Sequence, residues 1–191
     1  MNIKLFDRLL DVIEHDIAPL TERAVETGSR VFGAAVLRAS DHSLVLAETN
    51  HAAFSPLWHA EVYTIKLFYE LQGHPAAEDC LFLATHRPCC MCTSALAWAG
   101  FRRIYYLFGF ESTEKDFAMP HDLRMNREIF GCDAPTLKNA YFEMHSLEDF
   151  AAGTPERSSE LLPDGRIGRL TALYDNLARR VAERESGAIP V

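Results

Sequence analysis

The stretch "CLFLATHRPCCMCTSALAWAGFRRIYYLF", residues 80–108, has the pattern of a strand, a helix and a second strand. Its first six residues form a mostly apolar run with the length of a fully buried strand, and "RIYYLFG", residues 103–109, is β-prone again. Between them, residues 88–99 favour a helix with Pro88 in its first turn. A strand-helix-strand order predicts two parallel strands joined by a right-handed crossover. The sequence therefore predicts an α/β fold in three layers.

The segments around this unit supply further strands and helices. The runs "VFGAAVLR", residues 31–38, and "SLVLAET", residues 43–49, are β-prone and joined by the turn-like "ASDH", which predicts two antiparallel strands. Apolar residues at helical spacing predict a first helix over residues 5–17 with Pro19 just beyond it, another from Ala60 to Leu71, and a last one from Ile167 to Glu185. The run "YFEMHS", residues 141–146, is a candidate final strand.

Composition limits the classes of protein to which the chain can belong. At 191 residues and 48% hydrophobic content, one domain with a proper core is expected. The net charge of −8 disfavours a nucleic-acid partner. Charged residues interrupt the apolar residues near the N-terminus, and the longest uncharged run, residues 88–101, is shorter than the ~20 apolar residues of a membrane span. A cytoplasmic protein without a membrane partner is expected.

The five cysteines favour metal or thiol chemistry, because three of them lie within four residues and no secretory leader is visible. A neutral imidazole from His59 and two thiolates from Cys89 and Cys92 would form a three-ligand zinc set with the fourth tetrahedral position open for water. The two cysteines have the i, i+3 spacing of one helix face, and a helix N-terminus lowers the pKa of a thiol. Glu61, two residues after His59, is placed to exchange protons with such a water without binding the metal.

The order His-x-Glu followed by Pro-Cys-x-x-Cys resembles the cytidine deaminase superfamily, the zinc-dependent nucleobase deaminases. The likeness extends over roughly residues 30–130, where "FGAAV", Asn50, "HAEV", "PCCMC", "ALAWAG" and "RIYY" occur in the order that this family uses. It is greatest to the guanine deaminase and tRNA adenosine deaminase branch, whose members carry Pro-Cys-x-Met-Cys and a parallel fifth strand. The resemblance implies a three-layer α-β-α fold with a central five-stranded mixed sheet. Residues 1–150 would form the catalytic domain and residues 151–191 a C-terminal loop and helix extension.

The same resemblance implies roles for particular residues. It makes His59, Cys89 and Cys92 the zinc ligands and Glu61 the proton shuttle. The expected substrate contacts are the Asn50 side chain, the backbone N–H of Ala60, the backbone C=O of Thr85, the rings of Phe32 and Trp58, and Asp122. Asp122 is included among the expected substrate contacts because "MPHDLRMNREI", residues 119–129, is similar to the segment of guanine deaminases in which an acidic residue faces the purine amino group.

The chain also departs from the family pattern. Arg87 stands where Glu often precedes Pro-Cys, Cys90 occupies a position usually given to other residues, and Trp58 replaces the small residue common before the histidine. Arg87 and Cys90 would alter the electrostatics around the metal ligands, and the large Trp58 indole would narrow the pocket, which favours a substrate other than guanine. The chain also continues to Val191, beyond the point where similar guanine deaminases end.

The activity implied is hydrolytic deamination of a small amino-heterocycle, such as guanine, with release of ammonia. A homodimer is also implied, because members of this superfamily commonly dimerise through helices near the site. One alternative is a tRNA adenosine deaminase, which would need a basic face where only scattered arginines are available. Another is a non-catalytic zinc-binding domain. The presence of Glu61 argues against this alternative, because a structural zinc site does not need a proton shuttle. The identity of the heterocycle stays open.

Overall fold

A single mixed sheet lies at the centre of the structure, a computed structural model that describes residues 1–110 and 124–187. Within those residues the sheet has five strands: β1 (Gly33–Arg38), β2 (Leu44–Thr49), β3 (Cys80–His86), β4 (Arg103–Phe108) and β5 (Glu143–Ser146). Their order is β2-β1-β3-β4-β5. Strand β1 is antiparallel to β2 and β3, whereas β4 is parallel to β3 and β5. The predicted hairpin, parallel unit and mixed sheet are therefore confirmed.

Helices cover both faces of the sheet. They are α1 (Ile3–Val12), α2 (Ala18–Glu26), α3 (Ala60–Glu70), α4 (Cys90–Trp98), α5 (Leu147–Gly153) and α6 (Arg166–Gly187). Along β1, Ala35 and Leu37 join a core cluster with α1, α2, α5 and α6, whereas Ala34 and Val36 join a second cluster with α3 and α4. This alternation is the two-residue period of a strand buried on both faces. The three-layer α/β prediction is confirmed.

The N-terminal helical region does not end before Pro19, as the sequence predicts, but continues beyond it. A π-helical segment, Ile13–Ile17, joins α1 to α2, and Pro19 lies in the first turn of α2. The Ala18 N–H donates to the carbonyl of Ile13, five residues back. Because a proline lacks an N–H and crowds the carbonyl four residues before it, a wider turn at this point lets the chain stay helical.

Close packing of this N-terminal region against the sheet requires a glycine at the start of β1. A Cβ atom built on Gly33 would lie 2.1 Å from the Ile17 Cγ2 atom. No side chain fits in that space, so the position of Ile17 over β1 depends on Gly33.

The C-terminal helix α6 packs on the sheet face that α1 and α2 also cover. Its apolar residues belong to the same core cluster; they are Ile167, Leu170, Tyr174, Leu177 and Val181. At the start of α6, Arg166 pairs with Asp11 at 2.6 Å and Glu14 at 3.2 Å. Near its other end, Arg184 donates to the carbonyl of Val25 at 2.7 Å.

The helices were also compared with the length and apolarity that a bilayer requires. Within residues 1–110 and 124–187, none of them is both long and apolar enough to span a membrane.

Candidate active site

Two helix N-termini on the same face of the sheet bring the candidate metal ligands together. His59 is the N-cap of α3, Cys89 is the N-cap of α4, and Cys92 lies in the first turn of α4. The predicted start of this helix at Pro88 is thus two residues too early, because Cys89 has extended backbone angles. The positive ends of both helix dipoles face the cluster, which stabilises thiolates there.

The distances between these three residues fit a tetrahedral zinc ion. The His59 Nδ1 atom lies 3.6 Å from the Cys89 Sγ atom and 3.6 Å from the Cys92 Sγ atom. Ligands at roughly 2.1 Å for nitrogen and roughly 2.3 Å for sulfur, set at a tetrahedral angle, would be about 3.6 Å apart. All three ligand atoms lie within 4.8 Å of one another. The donor set and its spacing therefore fit zinc without rearrangement.

The two thiols differ in acidity. The hydrogen bond from Cys92, with a further contribution from His59, lowers the pKa of Cys89 to about 4 against the opposing effect of burial. Burial raises the pKa of Cys92. Metal binding requires both sulfurs to be deprotonated, so the Cys92 proton is the one that a bound ion displaces.

Glu61 lies beside the ligands in the first turn of α3. It is buried, and its Oε2 atom is 3.4 Å from the Cys92 Sγ atom. Burial, followed by the neighbouring Cys89 charge, raises the pKa of Glu61 to about 7. A carboxyl group in that range can both take up and release a proton near neutral pH.

Asn50 and Ala60 lie at the two ends of the loop that leads from β2 to α3. The Asn50 Oδ1 atom accepts hydrogen bonds from the N–H groups of Ala52 at 2.9 Å and Arg30 at 3.3 Å. Because Oδ1 is engaged twice, the Nδ2 amino group is the part of Asn50 that can donate to a ligand. Ala60 is fully buried as the first residue of α3, where helix geometry provides no acceptor for its N–H.

Thr85 is fully buried near the end of β3, and its side chain binds β1. Its Oγ1 atom accepts from the Gly33 N–H at 3.0 Å and donates to the Gly33 carbonyl at 3.2 Å. The backbone pairing of β1 with β3 reaches only as far as Ala34 and Ala84. The Thr85 hydroxyl thus provides the link between β1 and β3 at the position where the next backbone hydrogen bonds of the sheet would lie.

The two aromatic pocket candidates are both half-buried, and Asp122 lies outside the described residues. The Phe32 ring packs edge-on against His86 at 4.8 Å, and the Trp58 ring lies 6.0 Å from that of Tyr63. The Arg87 guanidinium contacts the Phe110 ring and donates to the Pro135 carbonyl at 2.7 Å. This departure from the family pattern thus holds neighbouring backbone in place.

Two contacts near the site were not predicted. The His51 ring packs at a tilt against the ring of Tyr63, with the centroids 4.0 Å apart, and Tyr63 lies one helical turn after His59. The Nε2 atom of His51 lies 3.4 Å from the Glu48 carboxylate. His86 contacts Tyr174 of α6. Helical spacing from His59 could have pointed to Tyr63, whereas no sequence signal joins His86 to a residue so distant in the chain.

Comparisons with known proteins were made at the levels of sequence family and structure. The model of the cytidine and deoxycytidylate deaminase zinc-binding region matches residues 15–108, which include all three candidate ligands and Glu61. The comparison with curated proteins gave no match. A guanine deaminase from Bacillus subtilis is 25% identical over 73% of this chain and 82% of its own, with a TM-score of 0.52.

Two further solved structures match at lower identity. A guanine deaminase from Nitrosomonas europaea is 18% identical over 95% of this chain and 84% of its own, with a TM-score of 0.53. A structure from work on A-to-I editing by tRNA:A34 deaminases is 21% identical over 75% of this chain and 97% of its own, with a TM-score of 0.48. Together with the candidate metal site, the family match places residues 15–108 of this chain in the cytidine deaminase superfamily, a family of zinc-binding deaminases.

Proposed function

We propose that this protein hydrolyses the exocyclic amino group of a small amino-heterocycle, a free nucleobase such as guanine, and releases ammonia. The observation that carries the proposal is the buried Glu61 carboxyl group beside a His59, Cys89 and Cys92 cluster that fits zinc. The likeness to the Bacillus subtilis guanine deaminase, at 25% identity, supports the choice of a purine base.

Each part of the site has a chemical task in this reaction. His59, Cys89 and Cys92 would hold the zinc ion, which when bound would supply the Lewis acid that lowers the pKa of water from 15.7 toward about 7. Glu61 accepts a proton from the attacking water, whose oxygen bonds to the amino-bearing ring carbon. Glu61 then returns the proton to the leaving nitrogen as the carbon–nitrogen bond breaks. One water proton leaves in ammonia and the other stays with the keto product.

Substrate orientation is assigned to residues around this centre. The Asn50 Nδ2 group would donate to the ring carbonyl or to a ring nitrogen of the substrate, and the Ala60 N–H would donate to the base edge. The Thr85 carbonyl would accept from the leaving amine, and a pairing of Asp122 with a second amino group of the purine rests on the sequence resemblance alone. Phe32 and Trp58 would form apolar walls, a common arrangement in pockets for planar ligands.

Charge favours a small molecule over RNA. The arginines that could build a basic face are already engaged: Arg102 with Glu78, Arg124 with Glu128 and Arg127 with Asp133. Arg103 donates to the Glu78 carbonyl and Arg87 to that of Pro135. With a net charge of −8 and three of these five arginines paired with carboxylates, the protein offers little attraction to phosphates.

The test is ammonia release from free bases, nucleosides, aminotriazines and pterins by the zinc-loaded protein, with Glu61→Gln as the matched control. We expect turnover of one free base and a loss of at least about 10²-fold in the variant, the low end for general acid-base catalysis. Zinc content should be unchanged, because Glu61 is not a ligand. Zinc binding without turnover of any compound would contradict the proposal and direct the search to a polymeric RNA substrate or a structural zinc domain.

We also propose that the protein is a homodimer that associates through α4. This helix carries no charged residue, and its side chain at Trp98 is 92% exposed beside a cavity of about 510 Å³ that residues 135–142 help to line. Sedimentation should give a dimer for the wild type and a monomer for Trp98→Lys. Leu162→Lys, an exposed apolar residue outside that cavity, is the control and should stay dimeric. A monomeric wild type would contradict the proposal.

A further inference from the structure

The C-terminal helix reaches the end of β3 next to the candidate active site. Tyr174 of α6 is fully buried, and its ring packs edge-on against His86 at 5.6 Å and Phe108 at 5.4 Å. Its hydroxyl lies beside those of Thr21 and Thr85 without meeting hydrogen-bond geometry with either. The contact that Tyr174 makes with the site is therefore a contact of its ring.

Hydrogen bonding fixes the state of His86. The Thr85 hydroxyl donates its one proton to the Gly33 carbonyl and accepts from the Gly33 N–H. The Thr85 hydroxyl also lies 3.0 Å from the His86 Nδ1 atom, and with its own proton on the Gly33 carbonyl it can accept a hydrogen bond from the tautomer protonated on Nδ1. Burial lowers the pKa of His86 to about 3, which keeps the ring neutral. The geometry therefore favours a neutral imidazole with its proton on Nδ1.

From His86 the contacts continue to the substrate side. The His86 ring also contacts Phe32, edge-on at 4.8 Å. The Phe32 carbonyl in turn accepts from the Asn50 N–H at 2.8 Å and the Thr49 hydroxyl at 3.0 Å. Both Phe32 and Asn50 are assigned to the substrate pocket. A shift of His86 would therefore move one wall of the pocket and one polar group together.

We propose that His86 is a positioning residue for the substrate pocket and that Tyr174 holds it in place, so that α6 determines how Phe32 and Asn50 face the substrate. The inference rests on the proposed function for the identity of the pocket. The state of His86 itself does not depend on which compound is deaminated, or on whether any is.

The experiment combines histidine ¹⁵N NMR with kinetics on the zinc-loaded full chain. In the wild type, His86 should carry its proton on Nδ1 at pH 7.5 and stay neutral at pH 5.5. Tyr174→Phe keeps the ring and should preserve both the NMR signature and KM for guanine. Tyr174→Leu should change the tautomer or allow protonation at pH 5.5, and should raise KM for guanine about tenfold with a smaller effect on kcat.

A matched control separates this effect from general loosening of the core. Phe6 is fully buried in the same core cluster but pairs with Phe150, so Phe6→Leu should destabilise the protein without altering His86 or KM. Equal effects of Phe6→Leu and Tyr174→Leu would overturn the proposal, as would a change in KM without a change at His86, or the reverse. If the Leu variant does not fold, Tyr174→Met is the milder replacement.

The two proposals can fail separately. A wild-type His86 that is protonated at pH 5.5, or that carries its proton on Nε2, overturns the positioning role even in a protein that deaminates guanine. Absence of guanine turnover in the wild type contradicts guanine as the substrate, and the NMR comparison of the variants still decides the role of Tyr174.

Discussion

Thr85 joins β1 to the end of β3 through one side-chain hydroxyl. Its replacement by Val keeps the shape of the side chain but leaves the buried Gly33 N–H and carbonyl without their partner. A buried polar group that loses its hydrogen bond costs about 1–3 kcal/mol, and we expect the free energy of unfolding to fall by about that amount. Urea denaturation measures the change.

Thr85→Ser is the control, because it retains the hydroxyl and removes only a methyl group. It should lose less stability than Thr85→Val. A larger loss for Thr85→Ser would contradict this expectation and mean that the methyl contact, rather than the bonds to Gly33, fixes the end of the sheet.

At the residue scale, the chemically restricted positions were predictable and the supporting ones were not. The sequence identifies the candidate ligands and the proton shuttle because few residue types bind zinc or exchange protons with the attacking water. Their spacing also predicts that they lie at helix starts; they are His59, Glu61, Cys89 and Cys92. The Thr85 hydroxyl and the His86 contact with Tyr174 depend on side chains that only tertiary packing brings together. A threonine or a tyrosine in an apolar segment carries no sign of such a partner.

Helix α6 is the clearest case at the scale of elements. Five of its apolar residues are buried against the sheet and α1. Each such side chain contributes roughly 1.5–3 kcal/mol when fully buried, and the total stability of a domain is only about 5–15 kcal/mol. The packing of α6 is therefore expected to decide whether the protein folds, although the sequence indicated only a helix in a C-terminal extension, outside the catalytic domain.

Adjacent positions on α6 test this expectation. Leu177 is buried and Asn176 is exposed. Leu177→Asp would place a carboxylate in an apolar core at a cost of several kcal/mol, so most of the folded protein should be lost. Asn176→Asp introduces the same group into water and should leave the melting temperature nearly unchanged. Thermal unfolding followed by circular dichroism compares the two, and similar melting curves would show that α6 folds apart from the sheet.

The elements themselves were predicted better than their ends. Apolar runs with strand or helix periodicity indicated every strand of the sheet in the described residues. Helix α5 (Leu147–Gly153) was not predicted, and two errors in helix ends both involve proline. The chain stays helical through Pro19 because a π-helical turn precedes it, and α4 begins after Pro88 because Cys89 adopts the extended conformation of an N-cap. Proline restricts its own backbone, but neighbouring turns and tertiary contacts decide where the helix starts or stops.

At the scale of the whole molecule, the two faces of the sheet have different tasks. Helices α3 and α4 present the metal ligands on one face, and α1, α2 and α6 bury most of the large apolar side chains on the other. His86 lies at the end of β3, where it contacts Tyr174 of α6 and Phe32 of the proposed substrate pocket. The stability of the whole protein and the state of this one imidazole are therefore linked.

This linkage predicts how stability depends on pH. The folded protein keeps His86 neutral because burial lowers its pKa to about 3, whereas an unfolded chain protonates the same ring near pH 6.5. Stability from this group is fully present above about pH 6.5 and is lost as the pH falls toward 3. Between pH 7.5 and pH 5 the loss should be about 2 kcal/mol, since each pH unit below the unfolded pKa is worth about 1.4 kcal/mol.

Urea denaturation of the wild type and of His86→Leu, both at saturating zinc, isolates this contribution because loss of zinc in acid affects both proteins. The wild type should lose about 2 kcal/mol more than the variant over this range; parallel pH profiles would mean that water reaches His86 in the folded protein and that the imidazole can be protonated there.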